Sequence, residues 1–411
     1  MLLAMTRERT VQADVLIVGG GMIGLSQALA LASAGLHAVV LDRQAPAQLT
    51  APPYDGRVTS VAYGSYAMFE RLDAWQHMGD AAEPILEIRV SDGGMPFFLH
   101  FDHREVGDRP FGYMVENRHI RQALLRSVEA ADGVSLLAPA EVAEISPTGS
   151  GVEARLADGR RIRAPLLVSA EGRDASLRRQ AGIRLLAWDY PQVAIVCTVQ
   201  HEAPHHGIAK EHFLPAGPFA LLPMRGRRSA LVWTERRELA DALVGLPDDA
   251  FDAEIMARAG THWGEMRCDS PRWRYPLGLQ NAERYIDDRL ALIGDAAHAM
   301  HPIAGQGLNL GLRDVAALAE VVTDATRLGL DHGSPSALRR YQQWRRFDAF
   351  TMLLMTDGLN RLFSNDLGPV RLARSLGLGM VNGLPPLKRL FERHAAALSG
   401  DLPRLIRGEA L

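Results

Sequence analysis

The segment Arg289–Asp314 reads RLALIGDAAHAMHPIAGQGLNLGLRD. Leu290, Ala291, Leu292 and Ile293 form an apolar run short enough for a buried strand. Gly294-Asp295 breaks the run, and Gly305, Gly307 and Gly311 follow, interleaved with Gln306 and Asn309. Such a stretch makes a poor hydrophobic core. It makes a good backbone surface for a ligand, because glycine permits positive φ and close approach. Leu310, Val315, Leu318 and Val321 then fall near one helical face. The spacing predicts a strand, an acidic turn, a glycine loop and a helix N-terminus. That terminus offers free N–H groups and partial positive charge to an anion. Asp295 is an acceptor, suited to a ribose or ribityl hydroxyl. Acceptors for hydroxyls at one end and N–H donors at the other suit a flavin nucleotide. The alternative, an ordinary strand–loop–helix connection, has little use for so many glycines and amides.

A second glycine motif lies near the start. Asp14-Val15-Leu16-Ile17-Val18 leads into Gly19-Gly20-Gly21-Met22-Ile23-Gly24, with G-x-G-x-x-G spacing. Ile23, Leu25, Ala28, Leu29, Leu31 and Ala32 follow at helical period, and Ala38-Val39-Val40-Leu41-Asp42 forms the next strand. Gly19 suits the tight turn, Gly21 the approach to a pyrophosphate, and Gly24 the packing of helix on strand. Asp42, with Arg43 beside it, stands roughly 20 residues on, where a carboxylate meets the adenosine ribose. Strand, loop, helix and acid together predict an FAD or NAD site. The stretch from Val15 to Leu41 is long enough to imitate a membrane span. Its glycines, with Ser26 and Gln27, favour a strand, a turn and a buried helix instead.

The totals exclude several classes. A chain of 411 residues suggests two or three domains. A net charge of −3 gives no electrostatic basis for nucleic-acid binding. Lys210 and Lys388 are the only lysines, which leaves little material for a Schiff base. Two cysteines, Cys197 and Cys268, make no disulfide framework and fit an intracellular, cytoplasmic protein. The N-terminus lacks a signal peptide's order of basic segment, apolar segment and cleavage site. His201, His205, His206 and His212 fit no closed zinc pattern, and a solvated loop is expected there. No metal site is expected.

Between these motifs, Leu86, Ile88 and Val90 alternate into a turn at Asp92-Gly93-Gly94, as in a hairpin. Val115–Ile120 begins a helix through Leu124, Leu125 and Val128. Gly151–Ala164 reads as a hairpin turning at Asp158-Gly159, feeding the buried strand Pro165–Ala170. From Trp188 to about Pro276 the glycine loops vanish and strands dominate, including Val193–Val196, Phe219–Met224 and Ala230–Thr234. Beyond Tyr341, Phe350, Leu353, Leu354 and Leu359 suggest one helix, and Leu387, Leu390 and Phe391 another. Their apolar faces either pack on the body of the protein or meet a membrane or partner.

His301-Pro302-Ile303-Ala304-Gly305-Gln306-Gly307-Leu308-Asn309-Leu310-Gly311-Leu312-Arg313-Asp314 resembles, at every specified position, the signature of the ubiquinone-biosynthesis aromatic-ring hydroxylases. These are FAD-dependent monooxygenases built like para-hydroxybenzoate hydroxylase. The resemblance extends from Asp14 to the segment Ser399–Pro403. It implies an α/β fold: a Rossmann-like FAD-binding domain, an inserted and mainly antiparallel β-sheet substrate domain, and C-terminal helices. The expected divisions are 12–84, 107–186 and 277–345 for FAD, 85–106 and 187–276 for substrate, and 346–411 for the helices. The resemblance implies that Pro302, Gly305, Gln306 and Gly307 lie at the chemistry. Cofactor contacts are expected from Gly19, Gly21, Gly24, Asp42, Arg43, Gly294, Asp295, Gly305, Gly307, Leu308 and Asn309. Arg118 matches a residue set against the FAD phosphates. Arg57 either lies near the flavin or is a surface arginine. Glu171-Gly172-Arg173-Asp174-Ala175-Ser176 with Arg179 resembles the superfamily's middle motif, usually Asp-Gly-Arg-x-Ser-x-x-Arg. Here glutamate replaces the first aspartate and one extra residue precedes Ser176.

The implied reaction uses NADPH or NADH to reduce FAD, after which O2 adds at C4a and the hydroperoxide transfers OH to an electron-rich ring. The protein orients and shields the cofactor. The expected substrate is a small hydrophobic aromatic, a polyprenylated phenol or benzoquinol, with a peripheral inner-membrane or biosynthetic-complex contact. A hydroxylase of a soluble aromatic, an FAD reductase that ignores O2 and a non-catalytic flavin scaffold are the competing readings. A flavin halogenase would show Trp-x-Trp-x-Ile-Pro, and neither Trp188 nor Trp273 lies in such a motif. Replacing Asp295→Ala should lower FAD occupancy of the purified protein. Unchanged occupancy counts against a ribityl contact.

Overall fold

A computed structural model of the chain describes residues 10–50, 54–93, 98–105, 107–300, 305–363 and 400–411. Among them, the strands Leu290–Leu292, Leu166–Ser169, Val15–Val18, Ala38–Leu41 and Val134–Leu137 lie side by side in that order. All pair in parallel, and Ile286–Asp287 adds an antiparallel edge. Their runs are apolar throughout because helices cover such sheets and both faces are buried. The helix Met22–Ser33 packs against both Asn117–Ala130 and Gly307–Arg327.

Parallel pairing sets the site. Each strand delivers its following turn to the same edge of the sheet, so motifs far apart in sequence meet there. The turns after Val18, Leu41, Ser169 and Leu292 carry the Gly19 loop, Asp42, Glu171 and Asp295 respectively.

A nine-stranded sheet stands opposite. Its core is the long strand Leu185–His201, flanked by Arg228–Arg236 and Trp273–Ala282. Gly217–Met224 and Ile208–Leu214 continue the antiparallel order. Glu87–Asp92 then pairs in parallel with Ile208–Leu214 and antiparallel with Phe98–Asp102. The strand Ile208–Leu214, with its parallel junction, was not foreseen from the sequence; polar Lys210, Glu211 and His212 hide its alternation. The helices Arg237–Val244 and Asp248–Ala259 cover the outer face, where Trp233, Phe251 and Trp263 form a second core.

A three-stranded antiparallel sheet, Val58–Ala62, Gly112–Glu116 and Glu83–Ile85, lies between the two larger bodies. The helix Pro335–Phe363 runs without a break through residue 345, where a domain boundary was expected. It carries Phe350, Leu353 and Leu354, whereas Leu387, Leu390 and Phe391 lie outside the described residues. The final residues return to the body of the parallel sheet: Leu405 and Ile406 are buried in the main core, and Arg404 pairs with Glu320 and Asp324.

The histidine group is a solvated loop only in part: His206 is exposed at a turn, but two of the others are not. His201 and His205 are both 3% exposed. His201 donates to the Ala203 carbonyl at 2.7 Å, and His205 Nε2 donates to the Met224 carbonyl at 2.7 Å. His201 ends a paired strand and His205 sits in the loop beyond it, and backbone carbonyls supply their partners.

Gly24 packs as its motif requires, since an added Cβ would lie 1.8 Å from the Gly19 carbonyl oxygen. At Gly21 an added Cβ meets nothing within 4 Å. Gly24→Ala should therefore lower stability by about 1–3 kcal/mol, and Gly21→Ala by much less. Equal melting temperatures for the two variants would refute this division.

Candidate active site

A cavity of about 1470 Å³ opens at the edge where the parallel strands end. At one end stand Gly19, Gly21, Asp42 and Arg43. The Gly20 and Gln44 N–H groups each donate to the Asp42 carboxylate at 2.7 Å, which fixes its orientation. Gly21 is the N-cap of Met22–Ser33 and has no side chain to cap it. The first-turn N–H groups are therefore left for a ligand.

At the other end stand Gly294, Asp295, Gly305, Gly307 and Leu308. Desolvation pushes the Asp295 carboxyl pKa up against the opposing charge of Arg173, 3.7 Å away. Even so, 48% of its side-chain surface is accessible, because it faces the cavity. A carboxylate in that position gains from hydroxyl donors. Gly305 adopts φ +62°, and an added Cβ would come within 3.3 Å of Ser60. Gln306 is the N-cap of Gly307–Arg327. Pro302 lies outside the described residues.

The Asn309 side chain is bound within the protein. Its Oδ1 accepts from the Ala62 N–H at 3.0 Å, and its Nδ2 donates to the Ser60 carbonyl at 2.8 Å and to Gln306 Oε1 at 3.2 Å. The side chain is spent on the protein and is 2% exposed. It ties the glycine loop to the strand Val58–Ala62. Position, not direct contact, is what this amide gives a cofactor.

Beneath the loop, the fully buried Asp314 accepts from three donors. These are the Gly294 N–H at 2.9 Å, His298 Nε2 at 2.7 Å and Arg345 Nε at 2.8 Å. Burial pushes the Asp314 carboxyl up, but His298 and Arg345 outweigh it and hold the group below the usual carboxylate range. Arg345 and Arg313 both pair with Asp348. The network joins the turn at Gly294 to the helices on either side of it. His298 is thus a positioning residue here and not a proton carrier at the cavity.

In the middle motif, Glu171 Oε1 accepts from the Ser176 N–H at 3.1 Å, and Oε2 accepts from the Leu177 N–H at 3.0 Å. The carboxylate thus meets the first two N–H groups of the helix Ser176–Gln180. Arg173 and Arg179 line the cavity.

Arg118 does not line this cavity. It pairs with Glu116 at 2.5 Å and lies over the Tyr54 ring. Asn117 and Arg121, four residues apart and so on one helical face, do line it. Burial, then the nearby Arg57, disfavours the charge on Arg121, a condition that a phosphate would relieve. Helical phase was the signal that could have selected Arg121 in the sequence. Arg57 also lines the cavity, paired with Asp55 at 2.6 Å. Its loop is fastened to the large sheet by Tyr54 to Thr198 at 3.0 Å and by Tyr275 Oη to the Asp55 carbonyl at 2.7 Å. Tyr54 and Tyr275 carried no signal in the sequence, because their partners come from remote strands.

The FAD binding domain family matches residues 12–353. Ubiquinone hydroxylase UbiL of Rhodospirillum rubrum is 52% identical over 402 residues, covering 97% of this chain and 94% of that protein. The chain belongs to the ubiquinone-biosynthesis family of FAD-dependent aromatic-ring hydroxylases. Another family member, 3-demethoxyubiquinol 3-hydroxylase of Escherichia coli, is 33% identical over 396 residues, covering 96% of this chain and 100% of that protein. The crystal structure of p-nitrophenol 4-monooxygenase PnpA from Pseudomonas putida shares the fold with a TM-score of 0.78. It is 20% identical, with 95% of this chain and 99% of that chain covered.

The cavity fits the family's cofactor. Asp42 suits the adenosine ribose, the first turn of Met22–Ser33 with Arg121 the diphosphate, Asp295 the ribityl chain and Gly305–Leu308 the ring. Arg121→Ala should weaken FAD binding to the apoprotein roughly tenfold, while Arg118→Ala leaves it unchanged. The reverse ranking in a flavin titration would overturn this assignment. Asp314→Ala should destabilise the protein by about 3–5 kcal/mol at neutral pH. Because the native carboxyl titrates below its ordinary value, its contribution is present above about pH 4 and fades as pH falls through the native value. Urea unfolding at both pH values should show that gap narrowing in acid; a constant gap counts against the network.

Proposed function

We propose that the chain hydroxylates the aromatic ring of a polyprenylated phenol or benzoquinol intermediate of ubiquinone synthesis. NADPH or NADH supplies two electrons and O2 supplies the oxygen: ring C–H, O2, NAD(P)H and a proton give ring C–OH, water and NAD(P)+. The observation that carries this reading is the 52% identity, across 97% of the chain, to a ubiquinone hydroxylase. Bound FAD supplies the acceptance of hydride and the activation of O2. The chain's own residues supply the surroundings. Backbone N–H groups from Gly305 to Asn309, at the positive end of Gly307–Arg327, suit negative charge at N1 and O2 of a reduced ring.

Dryness is the second contribution. An apolar cluster including Ile85, Leu99, Phe101, Met114 and Phe213 fills the space between the three-stranded sheet and the large sheet. Val58 packs at that cluster's edge and also lines the FAD cavity, so the cluster adjoins the cavity. Apolar walls there keep water from the reacting centre and suit a greasy ring.

The cytoplasmic face of the inner membrane, or a biosynthetic complex on it, is where such a substrate is met. Support comes from Phe347, Phe350 and Leu354, exposed at helical spacing on Pro335–Phe363. Among the described residues, no helix is long and apolar enough to cross a membrane. Quinones extracted from a deletion strain should include an intermediate short of one ring oxygen, identified by mass. A normal quinone profile would sink the proposal.

A further inference from the structure

The strand Ile208–Leu214 lines two different spaces. Lys210 stands over the Trp263 ring, 3.9 Å away, and His212 bonds to Ser91 at 2.6 Å, both on one face. Ala209 and Phe213 belong to the apolar cluster on the other face, with Ile85 and Met114. The period of two puts Glu211 on the apolar side. Its cross-strand neighbours are Ala220 and Val90, whose side chains donate no hydrogen bond.

Among the described residues, no side-chain hydrogen bond or ion pair reaches the Glu211 carboxylate. Desolvation among its apolar neighbours alone pushes its pKa up to about 7. Yet the side chain is only half-buried by surface area. Asp295 shows the same combination, and Asp295 faces a cavity. Folding gains nothing from a carboxyl in this place, where an unpaired polar group costs free energy and an apolar side chain would pack without that cost.

The flavin loop lies across the same space. Gly305 meets Ser60, and Ser60 shares a strand face with Val58. Val58 and Met114 pack against the cluster that holds Ala209 and Phe213. Glu211 therefore looks from the large sheet toward the wall that carries the ring-binding loop.

We propose that the Glu211 carboxyl group is the polar anchor of the substrate ring, accepting a hydrogen bond from a ring hydroxyl where the apolar cluster borders the flavin loop. This rests on the phenol-hydroxylase reading above. Beside a cluster of Ile, Leu, Phe and Met, a phenol's O–H has no other acceptor among the residues named, and a carboxylate makes the stronger, charge-assisted bond. Holding the hydroxyl fixes the ring's rotation, and with it the carbon presented to the flavin.

The test uses FAD-loaded enzyme carrying Glu211→Leu or Glu211→Gln. The probes are a short-chain prenylated phenol and its methyl ether, which lacks the O–H. Their binding is read from perturbation of flavin absorbance, alongside hydroxylated product per NAD(P)H oxidised, FAD content and melting temperature. Glu211→Leu should keep its FAD, melt no lower than wild type, and bind the phenol about tenfold or more weakly. Product per NAD(P)H should fall, and binding of the ether should not change. Glu211→Gln, a neutral acceptor of the same shape, should show a smaller loss and decides the matter if the leucine variant fails to fold. Wild-type phenol binding and product yield in the variants would overturn the proposal alone, as would equal losses for phenol and ether. Wild-type protein that holds FAD but neither binds nor hydroxylates any phenol would overturn the functional reading, and this proposal with it.

Discussion

A single carboxylate holds the flavin end of this protein together. Asp314 sits fully buried on the helix Gly307–Arg327 and binds the backbone of Gly294, the ring of His298 and the guanidinium of Arg345. Each partner belongs to a different piece of chain: the acidic turn, the segment after it and the long helix Pro335–Phe363. A charge in that place is tolerated only because an opposite charge and two directed donors meet it. The effect is geometric. The turn bearing Asp295 and the helix whose N-terminus faces the cavity cannot move independently. Tyr341 adds to this by donating to the Leu292 carbonyl at 2.7 Å.

Asn309 does the same work one turn earlier, with neutral groups. It gives the strand Val58–Ala62 a fixed place against the glycine loop. That strand in turn belongs to the small sheet whose other members pack on the substrate-facing side of the large sheet. The glycine loop and the apolar cluster between the sheets are therefore linked through this amide side chain. The loop Tyr54–Arg57, tied to Thr198 and Tyr275, closes a second connection between the same two bodies.

The polar groups of the interior divide into two kinds. Asp314, Asn309 and Glu171 are saturated by protein donors and serve position. Asp295 and Glu211 remain partly accessible and are not saturated by protein donors, and burial raises the pKa of each. Unsatisfied acceptors are costly in a folded protein. Where two of them remain accessible, a ligand's hydroxyls are the natural complement. On the proposals above, the ribityl chain would supply them at Asp295 and a phenol at Glu211.

Much of the architecture was legible in the residues alone. The runs at Val15, Ala38, Leu166 and Leu290, each followed by a turn, foretold the parallel sheet, and both glycine motifs marked where its ligand lies. Helix and strand period, glycine and capping chemistry act over a few residues, so a local reading reaches them. The position of Arg121 rather than Arg118 in the cavity wall depends on how one helix is rotated against its neighbours. The internal use of Asn309 depends on a strand some distance back along the chain, and the burial of His201 and His205 on carbonyls that only strand pairing brings near. Glu211 reads in sequence as a surface acid in a polar run. The strand's register, parallel to Glu87–Asp92 on one side and antiparallel to Gly217–Met224 on the other, turned it inward. Composition and local pattern thus determined which elements form and which cofactor they hold. Only long-range packing decided which side chains face that cofactor, because a side chain's surroundings are set by segments that its own neighbours in sequence do not encode.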